Sequence, residues 1–251
     1  MKKPYIKKIG RFGGYNVFYV NGYFIRKNYD KEFTNFGSVR YFKFIPKNEF
    51  WIDYENGKKE ARYFIENFIT IQRELKNGKS YNQAVKIANE YEKKERNKSK
   101  FLQKIKKIKQ KEGILNKVYK KQLLTKYSKK IKIYSVRGDL VRSLFFIDFT
   151  EGGHDKVYTF VPKGEVWIDD DVYKKEVPYI LIHELHERYL MGKGWVYDSG
   201  GIGVFSRKAE KGEKSAHFEA EKLEEYSRDH PKEVKKILIK EIKNNDSLRE
   251  D

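Results

Sequence analysis

The chain has 251 residues, a mass of 30.1 kDa, a formal net charge of +19 and no cysteine. Its length suits one large domain or two ordinary ones, and without cysteine it has no disulfides, thiolate metal sites, iron–sulfur clusters or cysteine nucleophile. The hydrophobic content of 39% and aromatic content of 16% exclude a disordered chain, and no apolar run approaches the roughly 18 residues of a membrane span.

From the N-terminus, Phe18-Tyr19-Val20 and Tyr23-Phe24-Ile25 flank Asn21-Gly22, the pair a type I′ hairpin prefers because both turn residues need positive φ. Arg40 to Ile45 reads as a strand, Pro46-Lys47 as a turn and Trp51-Ile52-Asp53 as a short strand. From Lys58 the pattern lengthens to helical, and a second helix runs from Gln83 to Arg96. Lys100 to Tyr127 has helical character with few apolar residues, which predicts a solvated basic helix. Lys156 to Val161 and Trp167-Ile168-Asp169 are again strands. A helix follows from Lys174, in which Tyr179, Ile182, His183, His186 and Leu190 recur at three- and four-residue spacing. Residues 199–214, with Gly200-Gly201, Gly203 and Gly212, read as a flexible loop, a lid or a grip on an anionic substrate. A helix from Ser215 to Arg228 and a last helix from Lys232 to about Lys243, announced by Asp229 and Pro231, close the chain.

The second series of elements repeats the first. Val20–Tyr54 aligns without gaps to Val136–Asp170 at an offset of 116, with 13 identities in 35 positions. The best stretch pairs FIPKNEFWID with FVPKGEVWID. The expected fold is α+β, two tandem repeats that each hold a small antiparallel sheet followed by two helices. The boundaries are 1–96 for the N-terminal repeat, 97–130 for the basic helical connector and 131–251 for the C-terminal repeat with its terminal helix.

Chemistry-bearing residues concentrate in the second copy. All five histidines lie at or beyond His154. In Ile182-His183-Glu184-Leu185-His186-Glu187, His183 and Glu187 share a helix face one turn apart, and Glu184 sits about 100° round the axis. On the later helix His217, Ala220, Glu221 and Glu224 share a face, and Ala216 and Ala220 permit close approach of a neighbour. The first copy places Asn67, Phe68, Ile71 and Val85 where the second has His183, Glu184, Glu187 and His217, while Glu92 still matches Glu224. The four polar groups are therefore not required by the scaffold. His154 and His230, beside a Gly pair and a Pro, read as ordinary surface residues.

A short edge strand, a helix carrying His-Glu-x-x-His and a third ligand on a later helix characterise the zincin metallohydrolases, and this arrangement resembles them, with Glu187 in the second ligand position. The resemblance implies His183 as first ligand, Glu184 as the general base, and His217 as third ligand, with His186, Glu221 or Glu224 able to complete the set. It implies zinc or another divalent metal, a peptidase-like hydrolase whose active copy is the C-terminal one, and a peptide or protein substrate. The combination of His-Glu-x-x-Glu with Ala-His-x-x-Ala-x-x-x-Glu also resembles small uncharacterised archaeal and phage proteins.

Charge supports a second reading. Between Lys93 and Ile133, 17 Lys or Arg against only Glu95 and Glu112 carry +15 of the +19. Lys104, Lys106, Lys107 and Lys109 would bind nucleic-acid phosphates irrespective of sequence, and Tyr119 and Tyr127 could stack on bases. The alternative to the hydrolase is therefore a nucleic-acid-binding or interaction protein in which the polar cluster is structural or inert. With no membrane span and no apolar signal stretch after Met1-Lys2-Lys3-Pro4, the expectation is a cytoplasmic protein, and the Lys, Glu, Ile and Tyr richness fits a thermophile.

Overall fold

The structure is a computed structural model that describes residues 4–198 and 214–248. In chain order its elements are β1 (Tyr5–Phe12), β2 (Tyr15–Val20), α1 (Gly22–Asn28), β3 (Phe36–Ser38), β4 (Glu49–Asp53), α2 (Ala61–Lys76), α3 (Tyr81–Asn97), α4 (Lys100–Lys106) and α5 (Lys111–Val118). Then come β5 (Tyr119–Leu123), β6 (Lys132–Val136), α6 (Gly138–Leu144), β7 (Gly152–His154), β8 (Glu165–Asp169), α7 (Val177–Gly192), α8 (Ala216–Asp229) and α9 (Val234–Asp246). Among the described residues no helix is long and apolar enough to cross a membrane.

Each copy forms a four-stranded sheet followed by helices. The strand orders are β1-β2-β4-β3 and β5-β6-β8-β7. Residue pairing repeats at the sequence offset: Asn16 faces Glu49 and Phe36 faces Ile52, as Lys132 faces Glu165 and Gly152 faces Ile168. The sheets are mixed, which corrects the expectation of antiparallel ones: β2 with β4 and β6 with β8 run parallel. A parallel pair needs a crossover, and α1 and α6 supply it.

The Asn-Gly pair explains the error. Asn21 is not a hairpin residue but the N-cap of α1, its Oδ1 accepting from the Phe24 amide at 2.8 Å. Gly22 is required by packing. A Cβ there would lie 1.8 Å from Asp53 Oδ2, and one at Gly138 would lie 2.0 Å from Asp169 Oδ2. The expected strands at Arg40–Ile45 and Lys156–Val161 are turns, and the third strand of each sheet is instead β3 or β7, three residues long.

The basic connector is not one solvated helix. Leu102, Ile105, Leu115 and Val118 are buried, so α4 and α5 are short pieces anchored on one face, and the stretch ends in β5, the first strand of the second sheet. The second repeat therefore begins near Val118 rather than at 131.

The chain divides into two compact units, Met1–Lys117 with Asp139–Thr150, and Val118–Gly138 with Glu151–Asp251. The first buries Val17, Phe50, Ile52, Phe64 and Phe68 between sheet and α2. It also buries an ion cluster: Arg96 and Arg142 both bond the Glu60 carboxylate, and Arg96 Nη2 donates to Glu92 Oε1 at 2.6 Å. The second unit packs Ile133, Val166 and Ile168 of its sheet against Leu181, Ile182 and Leu185 of α7 and Leu238 and Ile242 of α9. This core fixes the rotation of α7, and with it the direction of the histidines.

Candidate metal centre

Helix α7 turns Ile180, Leu181, Ile182 and Leu185 into the core, which leaves His183 and Glu184 half-buried on its other faces with Glu187 buried among them. Helix α8 starts at Ser215, whose hydroxyl accepts from the Phe218 amide at 3.1 Å. Ala216 and Ala220 are fully buried, as are their first-unit counterparts Ala84 and Ala88.

Three ligand atoms from these two helices converge. His183 Nε2 is 3.2 Å from His217 Nδ1 and 3.6 Å from Glu187 Oε2, and His217 Nδ1 is 2.8 Å from the same oxygen. A tetrahedral zinc with bonds of roughly 2.0–2.1 Å separates its ligands by about 3.3 Å, so the triangle has the right size. The outer nitrogens are also satisfied. His183 Nδ1 donates to Glu224 Oε2 at 3.0 Å, and His217 Nε2 faces Glu221 Oε1 at 3.4 Å. Carboxylates behind the rings hold the outer protons, so that the inner nitrogens can turn lone pairs toward the centre once an ion displaces their own protons, as metal ligation requires. Glu224 is itself held by Arg228 at 2.7 Å, and Arg228 reaches Glu176 at 2.7 Å.

The electrostatics suit a cation. Burial works against charge on His217, but hydrogen bonds to Glu187 and Glu221 outweigh it and raise its pKa to about 9. His183 is likewise raised well above its ordinary value, its bonds to Glu187 and Glu224 overcoming burial. Burial would push Glu187 up, yet hydrogen bonds from His154, His183 and His217 hold it well below the usual carboxylate range. Glu224, similarly buried, is brought to about 2 by the bond and charge of His183, with Arg228 adding to the effect. Two protonated imidazoles in contact repel, and one divalent ion in place of their inner protons removes that repulsion while keeping the carboxylates balanced.

Glu184 stands apart. Its carboxylate makes no hydrogen bond among the described residues, and burial followed by the charge of Glu187 pushes its pKa up to about 8. It lies over the edge strand, where a Cβ on Gly152 would come within 3.0 Å of its Oε1. A carboxyl so placed exchanges its proton near neutral pH, and a cation beside it would favour the charged form that can accept one.

Of the expected site residues, His183, Glu187 and His217 meet at one point, and Glu221 and Glu224 stand behind the rings rather than beside the centre. His186 is not brought there: its Nδ1 is 2.9 Å from Glu241 Oε2 on α9. His154, expected at the surface, is fully buried on β7 with Nε2 2.9 Å from Glu187 Oε1. The expectation failed because a three-residue strand shows no period, while the adjoining glycines look like a turn. His230 is exposed, stacked on Tyr226. Arg228 and Glu176 were legible as matches to Arg96 and Glu60, which form the same Glu-Arg-Glu arrangement with Glu92.

The first unit supplies the contrast. Asn67, in place of His183, donates to Glu92 Oε2 at 2.9 Å and to Asn89 Oδ1 at 3.0 Å, and Phe68, in place of Glu184, stacks on Phe50. Lys104, Lys106, Lys107 and Lys109 are exposed on α4 and the turn after it. Tyr119 is committed to the fold, its hydroxyl donating to Glu165 at 2.8 Å and its ring stacked on Tyr134. Of the glycine-rich loop, 199–213 lie outside the described residues.

No family model, curated protein or solved structure matches this chain.

Proposed function

We propose that the second unit is a metal-dependent hydrolase module of zincin type, peptidase-like in its chemistry, and that the first unit is a copy without activity. The observation that carries this reading is the convergence of His183 Nε2, His217 Nδ1 and Glu187 Oε2 at mutual distances of 2.8 to 3.6 Å, with a carboxylate behind each ring. Three protein ligands leave a tetrahedral ion one open position, the pattern of a catalytic rather than a structural site. Zinc, when bound there, would polarise a carbonyl or phosphoryl oxygen and acidify water.

The chain's own residues have separate tasks. His183, His217 and Glu187 bind the ion, Glu221 and Glu224 orient the rings, and Glu184 accepts the proton that the attacking water gives up and passes it to the leaving group. Asn67, Phe68, Ile71 and Val85 in the first unit cannot do any of this.

The test is metal analysis with a broad hydrolase screen on the parent, His183→Ala and Glu184→Gln. His183→Ala should lose both metal and activity, whereas Glu184→Gln should keep the metal and lose activity. A parent that carries no metal, or a Glu184→Gln variant as active as the parent, overturns the reading. The exposed lysines of α4 support a second, separable property, contact with nucleic-acid phosphates in the first unit.

A further inference from the structure

Glu187 belongs to two groups of ligand-type side chains: with His183 and His217 on one side, and with His154 and Glu184 on the other. By residue type alone the second group would hold a second ion, bridged to the first by the Glu187 carboxylate. The hydrogens of His154 decide against that. The backbone amide of Lys156, which can only donate, points at His154 Nδ1 at 3.2 Å. Nδ1 therefore carries the lone pair, and the proton sits on Nε2. An Nε2–H at 2.9 Å from Glu187 Oε1 is a hydrogen-bond donor and has no electron pair to give a metal.

Resting on the metal reading above, we propose that His154 is a positioning residue: it occupies Glu187 Oε1, leaves Oε2 alone to the ion, and so keeps the centre mononuclear with single-oxygen carboxylate coordination. The ring has no room to swing away, being fully buried. A second tie lies beside it. Asp155, next in the chain, accepts from Arg188, next after Glu187, through Nε at 2.6 Å and Nη2 at 3.1 Å. The Gly164 amide donates to the same carboxylate at 2.8 Å. Two neighbouring rungs thus fix the end of β7 to α7. The first unit has Ser38, Val39, Ile71 and Gln72 at these places, so neither rung exists in the copy that lacks the histidines. The rungs accompany the ligand set and are not a requirement of the scaffold.

Cobalt(II), whose visible absorption reports coordination number, is the probe, with the full chain as parent and His154→Ala and His154→Gln as variants. The parent should take up one cobalt per chain with a tetrahedral spectrum. His154→Ala should bind roughly 10- to 100-fold more weakly, the usual loss on removing such a partner. Its absorption should also weaken as Glu187 adds its second oxygen. His154→Gln, whose amide can still donate to Oε1, should recover the parent spectrum and most of the affinity. If His154→Ala does not fold, His154→Gln decides alone, a parent-like spectrum supporting the role and an altered one overturning it. Nitrogen-15 NMR of the metal-free parent should show His154 protonated at Nε2 only, and a proton on Nδ1 overturns the role. So does uptake of two cobalt ions that falls to one in the variants. Uptake unaffected by His154→Ala overturns this role and leaves the metal site standing. A parent that takes up no cobalt overturns the metal reading and this role with it.

Discussion

His183 Nδ1 sits 3.0 Å from Glu224 Oε2, and at the matching place in the first unit Asn67 Nδ2 sits 2.9 Å from Glu92 Oε2. The same carboxylate, held by the same arginine one turn later, serves a histidine in one copy and an amide in the other. An amide donates but offers no ring nitrogen on its far side. The carboxylate is thus scaffold, and the ring is what gives the scaffold metal chemistry. We predict that Glu224→Gln keeps the fold but lowers zinc affinity by roughly 10- to 100-fold, as loss of an outer carboxylate does elsewhere. Competition against a chromogenic chelator measures this, and an affinity unchanged within twofold would contradict it.

Zinc uptake should depend steeply on pH. The inner nitrogens of His183 and His217 carry protons in the metal-free protein at neutral pH, so binding must displace them. Affinity should rise about tenfold per pH unit for each proton released, and flatten for His217 above about 9. Stability without metal follows the reverse sense. The raised pKa of His217 gives a contribution that is full below its ordinary 6.5 and lost as pH rises through about 9. The depressed pKa of Glu224 gives one that is full above 4.5 and lost as pH falls through about 2. Thermal melts with chelator should therefore fall from pH 6.5 to 9, and zinc should restore most at the alkaline end. A metal-free melting temperature that climbs over that range would reverse the assignment.

The duplication was legible because the residues it repeats are those the fold cannot exchange. Gly22 and Gly138 lie against Asp53 and Asp169, and Trp51 and Trp167 donate to Glu49 and Glu165 within one strand. His183, Glu187 and His217 were legible because helical spacing alone puts them on facing sides. The parallel pairing was not, since Asn-Gly serves a hairpin and an N-cap equally well, and only the carboxylate across the sheet decides between them. His154 was hidden because its role depends on a partner 33 residues away. Tyr119 looked available for stacking because its register opposite Glu165 is set by sheet pairing, not by local sequence.

The buried ion cluster of the first unit yields a stability prediction. Glu60 is the shared acceptor of Arg96 and Arg142, all three nearly inaccessible to water. Glu60→Gln removes the negative charge that Arg96 and Arg142 share and leaves Arg96 with the Glu92 carboxylate. Breaking such a network costs roughly 3–5 kcal/mol. Urea denaturation should show a loss of that size, with metal binding in the second unit retained under native conditions. A loss below about 1 kcal/mol would mean that water reaches the cluster.

The connector lysines remain to be separated from the metal chemistry. Lys104, Lys106, Lys107 and Lys109 are exposed, while Leu102 and Ile105 hold α4 in place through its other face, so their heads can change without disturbing the core. Each phosphate neutralised on duplex DNA contributes about −0.9 to the slope of log affinity against log salt. Replacing all four by Gln should therefore flatten that slope by up to roughly 3.6 and weaken binding about equally for unrelated sequences. Fluorescence anisotropy with two unrelated duplexes over a salt series reads both quantities. The zinc affinity of the same variant should match the parent, because none of the four residues contributes to the His183, Glu187 and His217 cluster. A slope that does not change would place any nucleic-acid contact elsewhere on the chain, and no binding by the parent at low salt would remove it.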